Sequence, residues 1–211
     1  MKQILNGFIV PQILAPYFEH NIPEQSLIEW VAHELKNPEG IFIDIGSHVG
    51  TWAIKLASSF LHTHAFEPQK DIYNCLCGNI ALAELSSRIT SHNTAICSIY
   101  GKRLMRKTTE GGGEASLVVP GLIEEVVEAN VLDTYRIQNV KLIKIDVEGN
   151  EINVLKSARL TLLNNDFPPI LLECWQDERG QERDKLFEYI KGLGYTVTPI
   201  NGYPEMFLAK T

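Results

Sequence analysis

The stretch that decides the fold reads Phe42-Ile43-Asp44-Ile45-Gly46-Ser47-His48-Val49-Gly50-Thr51. Its apolar first half predicts a buried strand, and the glycines in its second half predict a tight turn that opens a helix. Open α/β sheets bind nucleotide-like cofactors at junctions of this kind. An ordinary turn that needs glycine for a positive φ gives the same pattern, so the stretch alone does not assign a site.

The spacing of the glycines indicates which cofactor the turn accepts. A dinucleotide fingerprint has a glycine midway, which lets the backbone approach a pyrophosphate. Here three residues separate Gly46 from Gly50, and His48 stands at the middle position. S-adenosylmethionine carries no phosphate, and the turn therefore suits this cofactor better than NAD.

A second feature, Phe66-Glu67-Pro68, follows about twenty residues later, at the spacing usual for a ribose-binding acid. The residue before a proline is held extended, and proline is tolerated where a helix begins. We therefore expect Glu67 at the carboxyl end of the second strand, where it binds ribose hydroxyls. The alternative is a surface glutamate near a helix N-terminus.

The chain has 211 residues, 45% of them hydrophobic, which predicts one domain over residues 1–211. Within it we expect an N-terminal arm and helix over residues 1–37 and a cofactor-binding catalytic core over residues 38–211. The four cysteines have the spacing of neither a zinc site nor a disulfide framework, which predicts free thiols in the cytoplasm. No apolar run reaches membrane-spanning length, so no membrane span is expected.

The net charge of −7 argues against a broad electrostatic surface for nucleic acid, and we expect no nucleic-acid partner. One basic cluster is present. It comprises Lys102, Arg103, Arg106 and Lys107. We interpret it as a solvated face or as part of an acceptor site.

Strands and helices alternate along the chain with short connections, which predicts a mostly parallel sheet covered on both faces. The predicted strands are 41–45, 62–67, one from residue 88, 140–147, 170–172, and an antiparallel pair at 195–200 and 205–209. The predicted helices are 24–35, which ends at the turn 37–40, then 51–60, 70–85, one that opens at 148–151, and 181–191. Residues 95–127 are irregular and contain Gly111-Gly112-Gly113, so we interpret them as a mobile loop that closes over a substrate.

The most selective motif is Lys144-Ile145-Asp146-Val147-Glu148-Gly149-Asn150-Glu151, which is followed by Leu155-Lys156. Together with the turn at 42–50, Phe66-Glu67-Pro68 and Leu132-Asp133, it closely resembles the FkbM-type family of S-adenosylmethionine-dependent methyltransferases. The resemblance covers residues 24 to 175. The turn is shared by many methyltransferases, whereas the block at 144–151 is typical of far fewer.

The resemblance implies a Rossmann-like class I methyltransferase fold, an α/β fold with a seven-stranded, mostly parallel sheet, one antiparallel strand, and helices on both faces. It also implies methyl transfer to an oxygen of a sugar, glycan or macrolide hydroxyl. The residues expected to bind S-adenosylmethionine are Asp44, Gly46, Ser47, His48, Val49, Gly50, Thr51, Glu67, Pro68, Asn93, Ala95 and Asp146. The chain departs from the family at His48, where asparagine is usual. An imidazole still donates a hydrogen bond to a bound carboxylate, but its charge varies with pH.

The catalytic candidates are Asp146, Glu173 and Lys144. Asp146 and Glu173 are expected to end neighbouring strands, about 5 Å apart. In one version Asp146 is the general base for the acceptor hydroxyl and Glu173 orients the acceptor. In the other version both carboxylates hold a divalent cation such as Mg²⁺ or Mn²⁺, which lowers the pKa of the hydroxyl. Lys144 shares the strand parity of Asp146 and either keeps it ionised or is a strand-edge lysine.

The acceptor contacts that we predict are Glu148, Ser116 and Trp175. An aromatic face suits the C–H side of a sugar ring, and a loop serine offers a hydrogen bond. For Trp175 the alternative is core packing. For Glu148 and Glu151 the alternative is stabilisation of a helix N-terminus.

The function that these residues indicate is O-methylation of a sugar hydroxyl in a glycan or glycoside. The same chemistry on a polyketide or lipid-like hydroxyl is an alternative, and so is a binding module that keeps the fold without catalysis. Methylation of a nucleic-acid ribose is disfavoured by the net acidity and by the lack of an aromatic and basic stripe. The chain is also compatible with one domain of a larger glycan-modifying enzyme.

Overall fold

The computed structural model describes residues 1–107, 115–118, 121, 123–175 and 183–211. The strands are β1 (Lys2–Leu5), β2 (Phe8–Pro11), β3 (Asn37–Ile45), β4 (Phe60–Phe66), β5 (Ile89–His92), β6 (Ala95–Ile96), β7 (Gly101–Lys107), β8 (Ala115–Ser116), β9 (Ile123–Asn130), β10 (Val140–Ile145), β11 (Ile170–Glu173), β12 (Thr196–Ile200) and β13 (Tyr203–Lys210). The helices are α1 (Ala15–Phe18), α2 (Gln25–Glu34), α3 (Thr51–Lys55), α4 (Lys70–Leu82), α5 (Glu151–Ser157), α6 (Arg159–Asn164) and α7 (Arg183–Gly192). Short 3₁₀ helices cover Gln12–Leu14 and Leu132–Tyr135.

The central sheet has seven strands in the order β12-β13-β11-β10-β3-β4-β5. Strands β5, β4, β3, β10 and β11 are parallel to one another, whereas β13 is antiparallel to both of its neighbours, β11 and β12. One strand of the seven therefore opposes the other six, which confirms the predicted class. Among the described residues, no helix is both long and apolar enough to cross a membrane.

Both faces of this sheet are covered, which explains why its central strands are almost continuously apolar. Ile43 and Ile143 face the side where α5, α6 and α7 pack. Phe42 and Leu142 face the opposite side, where α2 and α3 pack. Successive residues of a strand point to opposite faces, so each strand contributes to two cores.

Several boundaries differ from those predicted from the sequence, and three of these lie on β3, α3 and β4. Strand β3 begins at Asn37, and the four residues expected to form a turn are its irregular first part, with a register shift before Ile41. Helix α3 ends at Lys55, and β4 already begins at Phe60. The longer helix predicted for 51–60 was wrong because the ring of Phe60 is buried in the sheet, stacked 5.4 Å from the ring of Phe42.

The region 95–127 is more ordered than the mobile loop that the sequence predicted. Most of its described residues belong to a second sheet in the order β6-β9-β7-β8, in which β7 and β9 pair antiparallel along their length. Gly111-Gly112-Gly113 lies outside the described residues. Two ion pairs join the strands, Arg106 with Glu124 and Lys107 with Glu125, so half of the basic cluster is paired within this sheet.

The N-terminal arm is part of the packed structure. The hairpin β1–β2, the 3₁₀ helix Gln12–Leu14 and α1 bury Phe8, Leu14 and Phe18 in a cluster that includes Val49 of the glycine turn. Asn79 of α4 joins these parts, because its amide accepts a hydrogen bond from the backbone N–H of Ile9 and donates to the carbonyls of Ile9 and Val49. The arm is thereby held against the turn.

Gly46 is required by the packing of the turn against β10. Its φ is +82°, and a Cβ atom at this position would lie 1.7 Å from the carbonyl oxygen of Asp146. The backbone N–H groups of Gly46 and Ser47 both donate to the carbonyl of Phe66. The turn therefore packs closely between the ends of β4 and β10.

Gly202 provides a matched control for this constraint, since its φ is +85° and nothing lies within 4 Å of an added Cβ. We expect Gly202→Ala to lower the free energy of unfolding by about 1–2 kcal/mol, the cost of a left-handed backbone. Gly46→Ala adds the clash with Asp146, and we expect a loss of about 4 kcal/mol or more. Urea unfolding of both variants measures the difference. Equal losses would contradict the close packing at Gly46.

Candidate active site

A cavity of about 640 Å³ opens at the carboxyl ends of β3, β4, β10 and β11. Its walls come from the glycine turn, from the segments that follow β4 and β5, and from the ends of β10 and β11. The N-terminal arm closes another side with Ile13, Leu14, Tyr17, Phe18 and Pro23. A cavity of this volume is in the range that binds cofactors and small ligands.

Eight of the twelve predicted cofactor residues line this cavity. They are Gly46, Ser47, His48, Thr51, Glu67, Pro68, Ala95 and Asp146. The other four lie behind the wall: Asp44 is fully buried beside Lys144, and Val49 packs against the arm. Gly50 has a φ of +94° and packs against the side chain of Leu76. Asn93 donates hydrogen bonds to the carbonyls of Glu67 and Pro68.

Glu67 is 3% exposed, which excludes the alternative of a surface glutamate. One carboxylate oxygen accepts the backbone N–H of His48 at 3.0 Å, and the other accepts that of Gln69 at 2.8 Å. Burial raises the pKa of Glu67 to about 7, although these hydrogen bonds oppose the shift. The carboxylate is thus held rigidly on the wall and titrates near neutral pH.

Lys144 is 1% exposed, in a strand between β3 and β11, and is therefore not a strand-edge lysine. Its Nζ donates to Oδ2 of Asp146 at 2.8 Å and lies 4.0 Å from Oδ1 of Asp44. Burial alone would raise the pKa of Asp146, but Lys144 outweighs it and holds that pKa below its usual range. Burial likewise opposes the charge of Lys144, whose pKa the surrounding carboxylates nevertheless raise.

Glu173 ends β11 directly beside Asp146, because Ile145 and Leu172 are register partners in the parallel pair. Burial and the charge of Asp146 raise the pKa of Glu173 to about 10. The two carboxyl groups are hydrogen-bonded, so Glu173 holds the proton and Asp146 the charge. Environments that separate two pKa values in this way are typical of acid–base sites.

Glu148 is the third carboxylate of this group. Ligand oxygens of Asp146, Glu148 and Glu173 all lie within 4.8 Å of one another. Carboxylate oxygens are the ligands that Mg²⁺ and Mn²⁺ accept, so the donor set fits a hard divalent cation. From the sequence, Asp146 and Glu173 were predicted as the metal ligands and Glu148 as an acceptor contact.

The predicted acceptor contacts divide into two groups. Trp175 and Glu148 line the cavity, and Trp175 is partly exposed there instead of packing in the core. Ser116 is buried, and its hydroxyl donates to the carbonyl of Glu148 and accepts the N–H of Val118. Its neighbours in the chain, Ala115 and Leu117, line the cavity instead.

Two residues of the site were missed by the sequence analysis. The indole N–H of Trp52 donates to Oε2 of Glu24 at 2.8 Å, and both side chains line the cavity. The ammonium of Lys144 lies 5.4 Å from the centre of the Trp52 ring, a cation–π contact. The sequence around Glu24 signals only the start of a helix after a proline, and Trp52 signals only a buried helix face.

Comparison with solved structures identifies the fold. The methyltransferase FkbM from Methylobacillus flagellatus KT is 17% identical, with a TM-score of 0.56 over 87% of this chain and 50% of its own. The chain thus spans half the length of that protein. An rRNA methylase from Streptococcus thermophilus is 16% identical, with a TM-score of 0.54 over 90% of this chain and 95% of its own. The O-methyltransferase from Bacillus cereus, in complex with S-adenosylhomocysteine (SAH), is 13% identical, with a TM-score of 0.52 over 93% of this chain and 84% of its own.

The shared fold does not by itself identify the family of this chain, and sequence comparison does. No curated protein matches the sequence. The Methyltransferase FkbM domain matches residues 44–197, a span that includes the glycine turn, Glu67 and the carboxylates of β10 and β11. The match covers well over half of the chain, and the chain therefore belongs to the FkbM methyltransferase family.

Proposed function

We propose that this chain transfers the methyl group of S-adenosylmethionine to a hydroxyl of a sugar, in a glycan or glycoside. The observation that carries the proposal is the carboxyl pair Asp146 and Glu173, which shares the cavity with the glycine turn and is polarised by Lys144. Family membership supports the cofactor. The choice of a hydroxyl acceptor rests on the carboxylates.

The cavity residues fit the cofactor. The volume of the cavity, about 640 Å³, suits a ligand of the size of S-adenosylmethionine. Glu67 offers ribose a carboxylate whose position is fixed by two backbone hydrogen bonds. Several carboxyl groups but one lysine line the described part of the wall, which favours a cationic ligand. When bound, S-adenosylmethionine supplies an electrophilic methyl group.

In the metal-free version, Asp146 accepts the proton of the acceptor hydroxyl. Its pKa is held low by Lys144, yet a weak base is sufficient because the hydroxyl becomes strongly acidic as its oxygen gains the methyl group. The single O–H of protonated Glu173 donates to Asp146, and its carbonyl oxygen orients the acceptor by accepting a hydrogen bond from a neighbouring hydroxyl. Trp175 offers an aromatic face to the C–H side of a sugar ring.

In the metal version, Asp146, Glu148 and Glu173 hold a hard divalent cation. Such an ion, when bound, lowers the pKa of a hydroxyl and fixes neighbouring oxygens. Glu173 must then lose its proton, so metal binding is expected to weaken as the pH falls.

Acceptors other than sugars remain competitors. A polyketide or lipid-like hydroxyl requires the same chemistry, and one relative in fold is named an rRNA methylase. The net charge of −7 argues for an uncharged acceptor over RNA. A binding module without catalysis is the remaining alternative.

Transfer of labelled methyl from S-adenosylmethionine to methyl pyranosides, oligosaccharides, a macrolide and RNA tests the proposal directly. We expect incorporation into a carbohydrate, and we expect Asp146→Asn to lower kcat about a hundredfold or more, the usual contribution of a base. Thermal unfolding controls for folding of the variant, because Asp146 is itself a predicted cofactor contact and the partner of buried Lys144. Incorporation into RNA alone would overturn the choice of acceptor, and SAH binding without any transfer would favour the binding module.

Exhaustive chelation separates the two versions of the mechanism. Three carboxylates within 4.8 Å bind a hard cation only weakly without further ligands, so we expect chelation to remove it completely if it is present. Loss of transfer that added Mg²⁺ or Mn²⁺ restores supports the metal version. Undiminished transfer after chelation excludes it and leaves Asp146 as the base.

The raised pKa of Glu67 predicts a pH dependence of cofactor binding. Above pH 7 the side chain is a carboxylate that accepts hydrogen bonds from ribose hydroxyls, and below pH 7 it is protonated. We expect the Kd for SAH to be about tenfold higher at pH 6 than at pH 8, as titration of one group at pKa 7 requires. Glu67→Gln should flatten this dependence. A dependence of equal size in that variant would assign the titration to another group.

A further inference from the structure

Glu24 is the one carboxylate of the described cavity wall that lies outside the span matched by the family. It comes from the end of the N-terminal arm, directly before α2. Its side chain reaches the carboxyl end of the sheet, where Oε2 accepts the indole N–H of Trp52 at 2.8 Å. Its charge interacts with both Lys144 and Asp146.

Among the described residues around Glu24 and Lys144, acidic side chains outnumber basic ones. In the part of the cavity wall that the structure describes, Lys144 is the one lysine or arginine, and Asp146 already accepts its hydrogen bond. The charges of Asp44 and Glu24 act on the same ammonium, whereas Glu173 holds a proton. Partly buried carboxylates in excess favour a bound cation, because burial without a counter-charge disfavours the ionised form. Burial raises the pKa of Glu24, and the charge of Asp146 adds to that shift while Lys144 opposes it.

The other wall carboxylates have roles in the proposed function. Glu67 is suited to the ribose, while Asp146, Glu148 and Glu173 form one group for the acceptor. S-adenosylmethionine carries, in addition to its sulfonium, the ammonium of its amino-acid tail. This ammonium is a strong donor that needs a charged acceptor when it is removed from water.

We propose that Glu24 binds the ammonium group of the amino-acid tail of S-adenosylmethionine. The inference rests on the proposed function, since it requires the cofactor to occupy this cavity. It makes the N-terminal arm a part of the cofactor site as well as a cover for the glycine turn. Trp52 holds the carboxylate in place through its indole N–H and leaves the second oxygen for the ligand.

Glu24→Gln separates the charge of this side chain from its structural role. The amide oxygen of glutamine still accepts the N–H of Trp52, so the variant keeps that bond and removes the negative charge. Glu29→Gln is the matched control, because Glu29 is an exposed residue of α2, the helix that Glu24 precedes, and loses the same charge. Thermal unfolding of both variants establishes that they fold.

Two ligands then report on the ammonium specifically. SAH contains the amino-acid tail, whereas 5′-methylthioadenosine keeps the adenosine and a methylthio group but lacks the tail. By calorimetry we expect Glu24→Gln to weaken SAH binding about ten- to a hundredfold, the range for a hydrogen bond between charged groups. We expect binding of 5′-methylthioadenosine to change less than twofold, and Glu29→Gln to bind both ligands as the unaltered chain does.

Every other outcome of these measurements would contradict either the role of Glu24 or the proposed function. Equal weakening of both ligands would give Glu24 a structural role and overturn the inference, as would unchanged SAH binding. Failure of the unaltered chain to bind either ligand would instead overturn the proposed function, and the inference with it. A weakened Glu29→Gln variant would show that the general negative field of the protein, and not a contact at Glu24, attracts the cofactor.

Discussion

A buried ammonium beside two carboxylates is the constraint on which the rest of the site depends. Lys144 lies in a strand covered on both faces, where an unpaired charge is strongly destabilising. Asp146 accepts its hydrogen bond from the same strand, and Asp44 is its register partner on β3. Loss of either partner of such a buried pair typically costs about 3–5 kcal/mol. The register between β3 and β10 is therefore tied to the electrostatics of the cavity.

The same ion pair determines the protonation of the neighbouring carboxyl groups. Asp146 stays ionised because Lys144 is next to it, and its charge in turn keeps Glu173 protonated. Two carboxyl groups on adjacent strands thus acquire different roles, one as an acceptor and one as a donor of hydrogen bonds. In the described part of the cavity wall, Glu24 and Glu67 add further acidic groups that Lys144 does not balance.

Elements with a strong local signal were predictable from the sequence. The apolar runs at 42–45 and 140–145 read as buried strands because both of their faces are covered. Glu67 and Glu173 were expected at strand ends, where the structure has them, since each follows an apolar run. Prediction was poorer where partners are distant: β7 and β9 stabilise each other across an intervening segment, and neither has a strong pattern of its own. The arm likewise acquires its structure only by packing against α4 and the turn.

By itself, the sequence determined the alternation of strands and helices, the glycine turn with its acid twenty residues on, and the carboxylates that end two strands. These features depend on local geometry and on the hydrophobic pattern. Only the tertiary structure decided that Lys144 is a buried counter-ion, that Ser116 faces a backbone carbonyl, and that Glu24 and Trp52 join the cavity wall. Such contacts join residues far apart in the chain, and a side chain's burial and charge state are set by all of its neighbours in space, which no local pattern specifies.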